Sequence, residues 1–185
     1  MTKPKDRAVL HSRSPSAQER KRVPRPFAGN CLHIMFRQKY RRRCHSDLLF
    51  VYGTLRSHFR HSQRVLPQRN VVLLGMAWFQ GRLYDLGSYP GATVSRCSNE
   101  YITGELYRIQ RPYPVLHTLD QYENGIPSEP PEYRRNIAPV RTDSGQTRLA
   151  WIYLYIGNTR GLHWIRTGDY VQYCLKRPYR RNMHK

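Results

Sequence analysis

Apolar positions are spread unevenly along this chain. Through residues 1–46 large apolar side chains are few, separated by charges and by Pro4, Pro15, Pro24 and Pro26. Such a stretch cannot bury enough surface to offset its ordering entropy, so the pattern predicts disorder there and order from Asp47. "LLFV" at 48–51, running on to Tyr52, predicts a strand. The next residues predict a turn and a short helix from Thr54 or Leu55 to about Leu66, stopped by Pro67. Residues 71–84 are apolar or aromatic on both faces, and Gly75 and Gly81 share one face, where glycine marks a bend in a strand. "YITGELYRI" (101–109) and "LAWIYLYI" (149–156) predict two more strands. In the last, Ala150, Ile152, Leu154 and Ile156 form a core face. Leu149, Trp151, Tyr153 and Tyr155 form a second, whose polar-tipped rings suit a cavity wall or the underside of a helix.

The spacing changes once, in "RPYPVLHTLDQYENG". Pro112 and Pro114 fit a first helical turn, where no backbone donor is needed, and Val115, Leu116, Leu119 and Tyr122 fall on one face. Asn124-Gly125 supplies a left-handed stop. Strands with few helices between them, bent at glycines, predict an α+β fold with a small closed or nearly closed sheet and helices on its outside.

Charge sharpens the division of the chain. The formal net charge is +20, but residues 1–46 hold 13 Lys/Arg against Asp6 and Glu19 (+11) and residues 176–185 hold five bases and no acid (+5). The middle, 47–175, has 14 bases and 10 acids, or +4. The expected organisation is a basic extension over 1–46, a domain over 47–175 and a basic tail over 176–185. The extension is Arg- and Ser-rich, as transit peptides are, and a start at Met35 is an alternative origin for it. The longest apolar runs are eight or nine residues, too short for a membrane-spanning helix. No secretory h-region opens the chain, and Cys31, Cys44, Cys97 and Cys174 lack the spacing of a disulfide framework. The expected location is cytoplasmic, with organellar targeting by residues 1–46 as the alternative. Cys31, His33, Cys44 and His45 are poorly spaced for zinc, and His58 and His61 lack a third ligand, so no metal site is expected.

Two features carry candidate chemistry. A buried strand ending in Tyr52-Gly53-Thr54-Leu55 presents free backbone N–H groups at its mouth, which can hold a carboxylate; an ordinary strand-to-helix turn looks the same in sequence. Glu123 stands four residues after Leu119, near the buried face of the helix and at the negative end of its dipole. Burial and dipole both raise a carboxyl pKa toward neutrality, as a proton carrier needs, whereas a solvated Glu at a frayed helix end would be inert.

"FVYGTLR", "GRLYDLGSYPGA", "GELY", "LDQYE…EYRR", "AWIYLY" and "GDY" follow one another in an order that resembles the γ-glutamylcyclotransferase-like family. The match is to its branch of γ-glutamylamine cyclotransferases and avirulence-induced-gene-2-like proteins, over about residues 48–173. The resemblance implies a small mixed β-barrel with flanking helices, a substrate loop at Tyr52, Gly53, Thr54 and Leu55, and Glu123 as catalytic acid/base. It implies an intramolecular aminolysis in which a γ-glutamyl amine or amide closes to 5-oxoproline and releases a free amine, with no cofactor. Asn124, between the glutamate and Gly125, departs from many relatives, as does the basic extension.

Arg56, Tyr84, Tyr89 and Tyr133 are further pocket candidates, each with a packing or solvated role as the alternative. Glu105 reads as a strand residue and Asp169 as a turn cap. The partner expected is a small γ-glutamyl substrate. A non-catalytic binding or adaptor barrel is the competing class, with nucleic-acid contact through the tails, Arg41–Arg43 and Lys176–Arg181, as an addition to it. The oligomeric state is not legible.

Overall fold

Leu48–Val51 form the first strand, β1, of a computed structural model that describes residues 46–59, 62–66, 68–123 and 131–176. The basic extension, the Cys31–His45 stretch, His61, the Asn124-Gly125 stop and the basic tail beyond Lys176 fall outside the described residues.

β1 is the central seam. It pairs antiparallel with β4 (Tyr101–Ile109), Leu48 opposite Arg108 and Val51 opposite Glu105, and parallel with β6 (Thr147–Tyr155) at Leu49 and Trp151. β6 pairs antiparallel with β5 (Tyr133–Thr142), and β4 with β2 (Val71–Asp85). Ala77–Phe79 of β2 then meet Val140–Thr142 of β5 and close the ring. The order β2-β4-β1-β6-β5 is a five-stranded mixed barrel with helices outside it, the expected fold class.

The two glycines of β2 have separate tasks. At Gly75 the β2–β4 register shifts, and the backbone there has φ 134°, a conformation that a residue with a Cβ rarely adopts. At Gly81 the strand changes partner, leaving β4 after Gln80 and pairing with β3 (Pro90–Val94) from Gly81 to Asp85. The same extension pairs with β7 (His163–Trp164).

The segment after β1 departs from the expected helix. Hydrogen bonds from Arg56 N to Gly53 O, Phe59 N to Arg56 O and Ser62 N to Phe59 O make successive tight turns, and the only α-helix described there is α1, Ser62–Val65. The cause lies in tertiary contacts. The Glu105 carboxylate accepts from both the amide and the hydroxyl of Ser57 (2.8 and 2.9 Å), taking a donor that an α-helical ladder would use.

α2 (Pro112–Glu123) lies across the barrel with Val115, Leu116 and Leu119 buried and Tyr122 partly exposed. The barrel wall separates two cores. Inside the barrel, Phe50, Phe79, Leu83, Ile102, Val140 and Ile152 pack together. Between α2 and the outer wall lie Leu49, Val51, Ile109, Leu119, Tyr133 and Tyr153. β6 serves both: Ala150, Ile152 and Leu154 face the inner core, while Trp151, Tyr153 and Tyr155 face the outer one. α3 (Tyr170–Lys176) is capped by Asp169, whose Oδ1 accepts from Gln172 N at 3.2 Å.

Candidate active site

Where β1 runs out beside the end of α2, the outer core opens into a cavity of about 260 Å³. Its wall includes Tyr52, Gly53, Thr54 and Leu55 from the turn, Glu123 from the last turn of α2, Tyr89 from the loop before β3 and Tyr133 from the start of β5. Strand and helix come together because the hydrophobic stripe of α2 packs on β1. Leu119, one turn before Glu123, is 1% exposed in the same core as Leu49 and Val51.

The turn is shaped for close approach. A Cβ on Gly53 would lie 2.9 Å from Pro90 Cγ and 3.2 Å from Cδ, so glycine lets the loop rest against the rigid ring. Arg56 N closes the turn on Gly53 O at 3.1 Å, and among the described residues no backbone acceptor takes the amides of Gly53, Thr54 or Leu55. Tyr52 is buried beneath the loop, its hydroxyl donating to Tyr153 O at 2.7 Å.

Glu123 is half-buried, and loss of hydration pushes its carboxyl up to about 7. The phenol of Tyr52 is raised well above its ordinary value, first by burial and then by the charge of Glu123. Tyr133 is raised by burial, with the negative charge that Tyr52 and Glu123 can carry adding to it. The three groups therefore sense one another across the cavity, in an apolar setting that strengthens each interaction. Tyr133 is held by a bond from its hydroxyl to Pro90 O (3.0 Å), and Tyr89 by one to Glu132 Oε2 (2.7 Å).

Two of the expected pocket residues lie elsewhere. Arg56 is buried on the far side of the turn, donating to Asp169 Oδ1 at 2.8 Å with its Nε 3.6 Å from Glu105 Oε1. A guanidinium already held by two buried carboxylates is not offered to a ligand in the cavity. Tyr84 lies on β2 opposite Gly91 and Trp164, away from the cavity wall. Glu105 stands beneath the turn, accepting from Ser57 and from the Tyr107 hydroxyl (2.7 Å). Lining residues that the sequence reading missed are Pro90, Tyr122 and Glu132, while Tyr153 lies on the β6 face that it assigned to a cavity wall or a helix underside. Tyr153 had a signal, since it alternates with core residues of β6. Glu132 had none beyond its place before Tyr133. Among the described residues no three His, Cys, Asp or Glu side chains are grouped as a metal site requires, and no helix is long and apolar enough to cross a membrane.

A closed five-stranded barrel thus brings Glu123, at the end of α2, into one cavity with the Tyr52–Leu55 turn. The model of the family described as γ-glutamyl cyclotransferase, AIG2-like, matches residues 49–172, and the chain belongs to that family. A Vibrio cholerae protein that bears the γ-glutamylcyclotransferase name provisionally is 36% identical over 135 residues, 68% of this chain and 96% of that one. The γ-L-glutamyl-butirosin B γ-glutamyl cyclotransferase of Niallia circulans is 30% identical over 130 residues, 69% of this chain and 78% of that one. The crystal structure of an AIG2-like protein from Mus musculus shares the fold, with a TM-score of 0.54 at 20% identity, covering 68% of this chain and 88% of that one.

Proposed function

We propose that this protein is a γ-glutamylcyclotransferase acting on a γ-glutamyl amine or amide, with Glu123 as its acid/base. The observation that carries the reading is Glu123 itself: a carboxyl raised to about 7, sharing one cavity with the Tyr52–Leu55 turn. The family supports the reaction class, and the relative from Niallia circulans is named for a reaction of this kind.

In this mechanism the substrate's α-carboxylate sits on the free amides of Gly53, Thr54 and Leu55. That contact folds the γ-glutamyl chain so that its α-nitrogen meets its own γ-carbonyl, and orientation of this kind removes much of the barrier to ring closure. The α-ammonium, with a pKa near 8 in water, must first lose a proton. Glu123 accepts it. Attack forms the ring C–N bond, and collapse of the tetrahedral carbon breaks the bond to the leaving nitrogen. Glu123 returns the proton to that nitrogen and then relays to it the second proton shed by the ring nitrogen, so 5-oxoproline and a free amine, released as its ammonium ion, form with no water consumed. A carboxyl near 7 is matched to both halves of this transfer, because it neither holds nor refuses the proton strongly.

The test is 5-oxoproline release, followed by mass spectrometry, from full-length protein incubated with a panel of γ-glutamyl dipeptides and γ-glutamylamines. Release should fall by about 10²–10⁴-fold in Glu123→Gln. Release that persists in that variant would remove Glu123 from the mechanism. No release from folded wild-type protein would favour the binding-barrel class.

A further inference from the structure

We propose that the edge of β2 from Val71 to Gly75 pairs with the same edge of a second copy of this chain, antiparallel about a two-fold axis at Leu73, and that Arg69 of each copy meets Asp143 of the other. This contact is separate from the cyclotransferase reading. Val72, Arg108 and Leu48 stand level across the sheet, so the edge lies at the start of β1, away from the end where Tyr52–Leu55 meets the cavity.

Strand pairing leaves the edge open. β4 runs along one side of β2 from Val71 to Gln80, while β5 reaches the other side only at Ala77–Phe79. β5 ends at Thr142, and among the described strands none lies along that second side of Val71–Met76. An edge of this kind presents backbone donors and acceptors to any strand laid beside it, and natural edges are commonly blunted by lysine, proline or a charge. "VVLLG" carries none of these. Val72, Leu73 and Leu74 are 44%, 49% and 42% exposed, and the register shift between Leu73 and Gly75 leaves Leu74 outside the β2–β4 pairing as well.

The charges at the two ends of the edge select a second copy as the occupant. Arg69 is exposed just before the strand, and among the described residues no carboxylate forms an ion pair with it. Asp143 is exposed at the other end, directly after β5. Its Oδ1 accepts from Ser144 N at 2.8 Å, and its Oδ2 lies 3.4 Å from where a Cβ on Gly75 would stand. An antiparallel strand laid on β2 runs in the direction of β5 and continues it, so its first residues abut Asp143. Where that strand is β2 of another copy, those first residues follow Arg69, and the guanidinium arrives beside the carboxylate. The two-fold axis repeats the contact at the far end, which closes the pair and admits no third chain. A parallel copy would carry Arg69 to the wrong end. A short ladder with three apolar side chains from each copy makes a small interface, for which a Kd of about 10 μM is expected.

Sedimentation equilibrium of the full-length chain, from roughly 1 to 200 μM in about 0.15 M KCl, tests this. The mass should rise from one chain toward two and stop there. Leu73→Lys sets a charge in the middle of the ladder and should leave a monomer. Arg69→Asp and Asp143→Arg should each weaken the dimer about tenfold, and the two together should restore it to within about twofold. Both charge positions are exposed, so they report even where Leu73→Lys fails to fold. A chain still monomeric at the highest concentration overturns the inference, as does a mass that passes two chains. A dimer that a folded Leu73→Lys variant retains would place the contact elsewhere. A dimer that neither charge reversal weakens, or that the double variant does not restore, would overturn the antiparallel pairing and the inference with it.

Discussion

Gly53 and Glu123 are the two residues on which the site turns, and each makes a prediction of its own. A methyl group at Gly53 would press on Pro90 Cγ at 2.9 Å, and Pro90, the first residue of β3, has little freedom to retreat. Gly53→Ala should cost about 1–3 kcal/mol in urea unfolding, the range for overpacking, and lower kcat/KM for 5-oxoproline release about tenfold or more by displacing the loop. At Glu123 the prediction concerns pH. Its carboxyl ionises near 4.5 when unfolded and near 7 when folded. Below pH 4.5 both states are neutral and no penalty exists. Between 4.5 and 7 the unfolded chain gives up its proton while the fold retains it, so stability is lost as pH rises and the loss is complete above 7. Glu123→Gln has no proton to lose. It should match wild type near pH 4 and exceed it near pH 8 by up to about 3 kcal/mol, read as a thermal-midpoint difference at the two pH values. Of these residues, the turn and the glutamate were singled out by the family resemblance of their motifs, since spacing alone left an ordinary turn and a solvated helix end open. Glu132 was not, because a carboxylate after "PSEPP" reads as loop until a partner strand fixes its backbone.

Among elements, the ones recovered from sequence are those whose own pattern determines them. α2 declares itself through Pro112, Pro114 and the stripe of Val115, Leu116 and Leu119. β5 does not. Its "YRRNIAPVRT" carries three arginines and a proline, and only Tyr133, Ala138 and Val140 are fully buried, so the strand that closes the barrel has too few apolar positions to show period two. The turn after β1 failed for the opposite reason. Its local pattern suits a helix, but Glu105 takes Ser57 N, and Arg56 is drawn inward to Asp169. These contacts tie the turn, β4 and the cap of α3 together through side chains that are all buried. Arg56→Met keeps the length and removes the guanidinium that faces Asp169 and Glu105. It should lower unfolding free energy by about 3–5 kcal/mol in urea, and a loss under 1 kcal/mol would show the three elements to be held by packing alone.

On the scale of the whole molecule, the barrel is joined by segments far apart in the chain. Leu48 lies opposite Arg108, and Leu49 beside Trp151, so the seam beneath the Tyr52–Leu55 turn joins residues 60 and 102 positions apart in the chain. Such pairing was not readable beforehand, since strand order is a property of the assembled sheet rather than of any strand. It also has a consequence in time. Long loops must close before β1 gains its parallel neighbour, and topologies dominated by distant pairings fold in milliseconds to seconds rather than microseconds. The turn at Tyr52–Leu55 hangs from the end of that strand, so it acquires its shape only after the last long loop has closed. A nascent chain therefore holds no half-made cavity at this turn, and the appearance of the cavity marks the completion of folding.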